Sequence, residues 1–167
     1  MSVAIPARPP FTLRARLLTP LPEGQTQWLP DGVIEVDQRG RIRSVRSAVD
    51  VPRAAEIAID LRPLVVIPGL VDTHMHIPQV PAAGLGAGMD LLAWLERYVF
   101  PLEHDFDVAA AHDLAPQVYR AMAAAGTTTF SGYAAIWPDS TDACFRAAEE
   151  HGIRATIGAV LMDRVTY

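Results

Sequence analysis

Apolar and polar residues alternate in two distinct ways along this chain. Up to about residue 63 the apolar positions form short runs broken by turn residues. Phe11 to Leu18 interleaves apolar and basic side chains, as a strand with one covered face does. Leu21-Pro22-Glu23-Gly24 and Leu29-Pro30-Asp31-Gly32 both read as turns. Val33 to Val36 and Arg41 to Val45 flank Asp37-Gln38-Arg39-Gly40, a connection whose glycine can take a positive φ, and the pattern predicts a hairpin. A further strand is expected from Glu56 to Leu61, with Ile57, Ile59 and Leu61 on one face.

From Leu64 onward the apolar runs lengthen and alternate with helical periods. Leu64 to Gln79, LVVIPGLVDTHMHIPQ, reads as one buried strand, too apolar for an exposed edge, that ends in Asp72-Thr73-His74-Met75-His76. A glycine-rich loop, Ala82 to Gly88, leads to Asp90 as the N-cap of a helix over Leu91 to Phe100, with Leu91, Leu92, Leu95 and Val99 on one face. Asp107 to Ala125 has a helical period carrying Leu114, Val118, Met122 and Ala125, closed by Gly126; Pro116 must kink it or mark a second start. Thr127 to Tyr133 is a strand, Asp139 or Ser140 caps a helix through His151, and Ile153 to Met162 is a near-continuous apolar strand. The order βαβαβ predicts an α/β fold with a parallel sheet.

Composition narrows the class. Half of the 167 residues are hydrophobic and a fifth charged, and no window approaches 18 uninterrupted apolar residues, so a soluble globular protein without a membrane span is expected. Prolines and arginines occupy the N-terminus where a signal peptide needs an apolar centre. One cysteine, Cys144, excludes an internal disulfide and fits a reducing, cytoplasmic setting; beside Ala143 and Phe145 it reads as a small core residue. A net charge of −5 without a basic run argues against a nucleic-acid partner. A closed eight-stranded barrel needs about 250 residues. The hundred or so after the first sixty make two or three βα units, so the chain is expected to be a fragment.

The chemistry concentrates at His74 and His76. Alternate strand residues face the same way with α-carbons roughly 6.5–7 Å apart, a separation at which two imidazoles can converge on one ion. A His-x-His pair alone is equally what a core with hydrogen-bonded histidines would show. Its place at the C-terminal end of a strand in βα alternation favours a metal site, because parallel barrels build their active sites there.

The run PGLVDTHMH, residues 68–76, resembles the first barrel strand of the amidohydrolase superfamily. With His76-Ile77-Pro78-Gln79, Leu91-Leu92-Ala93-Trp94-Leu95, Phe100-Pro101-Leu102-Glu103, Gly126-Thr127-Thr128-Thr129 and Leu161-Met162-Asp163, the chain is similar to the guanine deaminases of that superfamily. The resemblance implies the opening third of a TIM-type (β/α)8 barrel in residues 64–167. It also implies a preceding small sheet in residues 1–63, similar to the accessory β-sandwich of amidohydrolases. His74 and His76 would be two ligands of a single zinc ion, with a third histidine and an aspartate coming from later strands outside this chain. Gln79 would bind the edge of a purine substrate through its amide. Asp72, deeper on the histidines' face, reads as an acceptor that orients a neighbour. The implied reaction is zinc-dependent hydrolysis of guanine to xanthine and ammonia. Its proton-transfer glutamate and aspartate also lie downstream, so no catalytic acid or base is assigned within this chain. The Cys-x-x-Cys motif of the smaller zinc deaminases is absent.

Other positions have plainer readings. His104, between Glu103 and Asp105, reads as solvated, His112 as lying on a polar helical turn, and His151 as a helix-end residue before Gly152. Trp94 suits either the core of its helix, the better-supported reading, or the wall of a pocket for a flat ring. Two alternatives stay open: another amidohydrolase acting on an oxidised purine or a triazine, or a non-catalytic metal-binding remnant. An open βαβαβ array would expose apolar strand faces and tend towards aggregation or a homodimer.

Overall fold

The computed structural model describes residue 6 and residues 8–162. It divides into two units, Met1–Pro68 and Gly69–Tyr167. In the first, β1 (Phe11–Pro20), β2 (Thr26–Val36), β3 (Ile42–Ser47) and β4 (Ile59–Val66) form a sheet of order β3-β2-β1-β4. The β1–β2 and β2–β3 pairs are antiparallel, and β4 joins β1 in parallel. The predicted β2–β3 hairpin is present: Asp37 Oδ1 accepts from the backbone N–H groups of Arg39 and Arg41, and Gly40 takes φ 74°. Ala15, Leu17 and Leu61 form one buried cluster, and Val33, Ala48, Val51 and Ala55 another.

Two readings of this region are corrected. Leu29-Pro30-Asp31-Gly32 is not a turn but part of β2, where the register slips so that Ala15 faces Gly32 and Leu17 faces Leu29. A bulge absorbs the proline, and Gly32 stays in the ladder because a Cβ there would sit 2.4 Å from Leu17 Cδ1. Glu56 to Leu61 is not one strand. Pro52, with its φ preset, opens α1 (Pro52–Ile57), and only from Ile59 does the chain extend, leaving Ile57 exposed.

The second unit holds a parallel sheet of order β5-β6-β7, with β5 (Leu70–His76), β6 (Thr127–Tyr133) and β7 (Arg154–Gly158). Between β5 and β6 come a 3-10 turn (Ile77–Ala82), α2 (Leu91–Trp94), a π-helical turn (Leu95–Val99), α3 (Phe100–His104) and α4 (Val108–Ala124); α5 (Pro138–Glu150) links β6 to β7. Ala111, Ala115, Val118 and Tyr119 of α4 pack with Ala143, Cys144 and Ala147 of α5 over Phe130 and Ile157 of the sheet. Small alanines let the helices and sheet approach closely, and the rings of Tyr119 and Phe130 fill the space with centroids 5.5 Å apart.

The structure alters several expectations here. Leu64 to His76 is two strands in two sheets, because Pro68 offers no N–H to a ladder and pairing breaks over residues 67–69. The run is not buried: Leu64 is 60 % and Val71 63 % exposed. Helix α4 continues across Pro116, since the faces on both sides of the proline belong to the same core. Its buried stripe runs through Ala111, Ala115, Val118 and Tyr119, while Ala125 is exposed. Trp137, not Asp139 or Ser140, is the N-cap of α5; Pro138 takes the first helical position and Ser140 Oγ donates to Trp137 O. Strand β7 stops at Gly158 because its partner β6 ends at Tyr133. Asp90 caps α2 as expected, and Asp107, expected as the first residue of the next helix, stands just outside α4 as its N-cap. Asp163 of the deaminase-like motif lies outside the described residues.

Candidate active site

Strand alternation sorts β5 and β6 into two faces. Met75, Phe130 and Gly132 turn towards the helices, and Met75 lies opposite Gly132. His76 lies opposite Tyr133, so the next positions along each strand fall on the other face. There His74, His76 and Tyr133 gather at the C-terminal ends of the strands. The two imidazole centroids are 5.2 Å apart with ring planes at 71°, and Tyr133 lies 4.8 Å from the His76 ring and 5.9 Å from the His74 ring.

The chain then turns sharply. Ile77 and Pro78 are fully buried, which anchors the 3-10 turn and sets the direction of Gln79. Gln79 Nε2 donates to Glu103 Oε1 at 2.8 Å, and the same oxygen lies 3.3 Å from His76 Nδ1. Glu103, near the end of α3, is only 3 % exposed. A buried carboxylate needs hydrogen-bond donors; the Gln79 amide supplies one, and Nδ1 of His76 stands within reach of the same oxygen. Asp72 Oδ1 accepts from the backbone N–H of His74 at 3.0 Å, holding the strand where the β5–β6 register shifts.

Beside Gln79 opens a cleft of about 500 Å³ walled by Leu85, Gly86, Met89, Leu91 and Trp94. Trp94 is half-buried on this wall, with Nε1 donating to Leu85 O at 3.1 Å, and stands outside the buried core cluster. Gly86, at φ 74°, permits the contact, since a Cβ there would lie 2.5 Å from Trp94 Cδ1.

His74, His76 and Gln79 therefore come together, and Asp72 touches the backbone beside them. The remaining histidines stand elsewhere: His104 Nδ1 pairs with Asp105 at 2.8 Å, His112 is exposed on α4, and His151 Nδ1 lies 3.0 Å from Ala147 O. Burial pushes the Cys144 thiol up to about 12 and raises the Tyr119 phenol as well, so neither is a nucleophile. Among the described residues no three His, Cys, Asp or Glu side chains group as metal ligands. What is present fits half of a tetrahedral zinc site: two imidazoles on one face of one strand, one of them held by a carboxylate. Sequence reading missed Tyr133 and Glu103 as site residues. Tyr133 carries the same signal as the histidines, a C-terminal strand position. Glu103 belongs to the Phe100-Pro101-Leu102-Glu103 segment that carries the family resemblance, but no role was read for it there, and its partner 24 residues away is invisible without the fold.

The amidohydrolase family pattern matches residues 65–166. The chain belongs to the amidohydrolase family. It is 34 % identical over 158 residues to a guanine deaminase of Dictyostelium discoideum, an alignment covering 84 % of this chain and 35 % of that protein. The crystal structure of guanine deaminase from C. acetobutylicum with bound guanine in the active site superposes with a TM-score of 0.81 at 29 % identity, over 94 % of this chain and 38 % of that one. The atrazine chlorohydrolase of Arthrobacter aurescens TC1 complexed with zinc shares the fold, with a TM-score of 0.71 at 21 % identity over 89 % of this chain and 35 % of that one. The chain thus spans about a third of the length of the relatives it matches. Among the described residues no helix is long and apolar enough to cross a membrane.

Proposed function

We propose that this chain supplies the first part of the active site of a zinc-dependent guanine deaminase, which hydrolyses guanine to xanthine and ammonia. The observation that carries this reading is the pairing of His74 and His76 at the C-terminal end of a strand in a parallel sheet, with Gln79, which meets the same Glu103 oxygen as His76, on the edge of a cleft. The three parallel strands would be the opening third of a (β/α)8 barrel, and the four-stranded sheet part of an accessory sandwich. Similarity to guanine deaminases in sequence and in fold supports both.

His74 and His76 would hold the zinc, with the remaining two donors expected from later strands. When bound, zinc supplies Lewis acidity that helps water act as a nucleophile at neutral pH. The rest is positioning by this chain. The Gln79 amide pairs with a purine edge, and the ring of Trp94 and the side chains of Leu85 and Met89 form an apolar wall for a flat base. The Tyr133 ring shields one side of His76. Groups that move protons are expected downstream, so the 167 residues alone are expected to be inactive.

The test is xanthine formation from guanine with added zinc, measured on the 167-residue chain and on a chimera in which it replaces the matching part of the Dictyostelium enzyme. The chain alone should give none. The chimera should be active, and His76→Ala should abolish that activity. A chimera that loads zinc and folds but turns over another heterocycle instead of guanine would overturn the substrate assignment. Turnover by the isolated chain would show that its ligand set is more complete than proposed.

A further inference from the structure

Glu103 is a deeply buried carboxylate whose single oxygen Oε1 meets two groups of the site, the amide of Gln79 at 2.8 Å and Nδ1 of His76 at 3.3 Å. A carboxylate only accepts, so each facing group must donate. For Gln79 this places Nε2 towards Glu103 and leaves the carbonyl Oε1 and the second N–H for a ligand. For His76 it places the proton on Nδ1 and leaves the Nε2 lone pair as the ring's only acceptor. An isolated neutral imidazole prefers the opposite arrangement, with the proton on Nε2. The choice of tautomer is made by the partner of the other ring nitrogen.

We propose that Glu103 is a positioning residue that selects the Nδ1–H tautomer of His76 and the facing of the Gln79 amide through one oxygen. It presets the metal-binding nitrogen and the substrate-reading carbonyl together. This rests on the assignment of His76 and Gln79 to metal and substrate. The geometry adds that a substrate meeting Gln79 finds its carbonyl open to a donor and one N–H open to an acceptor. It adds too that one substitution 24 residues away disturbs both halves of the site.

The test needs neither zinc nor guanine. In the 167-residue chain labelled with 15N, in mildly alkaline buffer, two-bond 1H–15N correlations identify which nitrogen of His76 carries the proton. The side-chain amide signals of Gln79 report its hydrogen bond. The wild type should show the Nδ1–H form as the major species. Solvent exchange of one Gln79 amide proton should be roughly tenfold slower than at exposed Gln38. Glu103→Leu should lose both signatures, with His76 passing to the Nε2–H form. Glu103→Gln, whose carbonyl still accepts, should restore the Nδ1–H form. A wild type in the Nε2–H form overturns the proposal, as does a folded Glu103→Leu protein with an unchanged tautomer. If Glu103→Leu does not fold, the wild-type and Glu103→Gln spectra decide. A chimera that fails on guanine while these signatures hold removes the substrate reading and leaves the positioning role. Lost signatures in a chimera that converts guanine do the reverse.

Discussion

Gln79 and Glu103 stand 24 positions apart in sequence, yet the amide nitrogen of one lies 2.8 Å from the carboxylate of the other. The contact joins the turn after the histidine strand to the end of a helical segment that has already passed along the cleft. It therefore ties Gln79, on the edge of the cleft, to α3.

If the Gln79 amide reads a purine edge, Gln79→Ala in the chimera should raise KM for guanine by roughly ten- to hundredfold, the loss of one or two hydrogen bonds from a desolvated site. Steady-state kinetics should show a smaller change in kcat, and circular dichroism an unchanged fold.

Gly132 sits where β5 and β6 leave no room for a side chain. A Cβ there would lie 2.8 Å from the Met75 carbonyl and 2.9 Å from Phe130 Cε2, and the carbonyl cannot yield without disturbing the strand. Gly132→Ala should cost about 1–3 kcal/mol of stability, read from urea unfolding, in line with overpacking elsewhere. It should also displace Tyr133 and the histidine it covers.

Asp107 caps the 17-residue α4 by accepting from Ala110 N at 2.9 Å. Asp107→Ala should cost about 1 kcal/mol, and Asp107→Ser should recover most of it. Thermal denaturation distinguishes the two variants.

Cys144 is inaccessible, and burial holds its thiol up at about 12. Maleimide should label it only after unfolding, which mass spectrometry can follow. The sign of the pH effect follows from the raised value. The unfolded thiol ionises near its ordinary value of 9.0 while the folded one does not, so stability is complete below that value. It should decline as pH rises towards 12. Tyr119, shifted in the same direction by burial, should add to the loss.

Acid should act on the first unit. Hydrogen bonding from Arg14 holds the Asp31 carboxyl below the usual carboxylate range, and Arg62 does the same for Asp60. Lowered folded-state values give stability that is present above the ordinary value of 3.8 and lost as pH falls through the folded-state values. Asp31→Asn should flatten that acid limb of an unfolding curve. Because the groups are largely exposed, added salt should weaken the effect.

The sequence by itself determined the local pieces. The β2–β3 hairpin, the cap at Asp90, the burial of Cys144 and the placing of two histidines two residues apart on a strand all follow from short-range patterns. Such patterns report backbone preference and side-chain period, which act over a few residues. Where tertiary pairing overrode them, the reading failed. Pro30 became a bulge because β1 lay alongside, and the run from Leu64 to His76 was shared between two sheets. Only the fold brought Glu103 and Tyr133 to the histidines, because contacts across 27 residues or between strands leave no periodic trace in the chain. The two candidate histidines were therefore legible in one short strand, while the groups that stand beside them were set by packing.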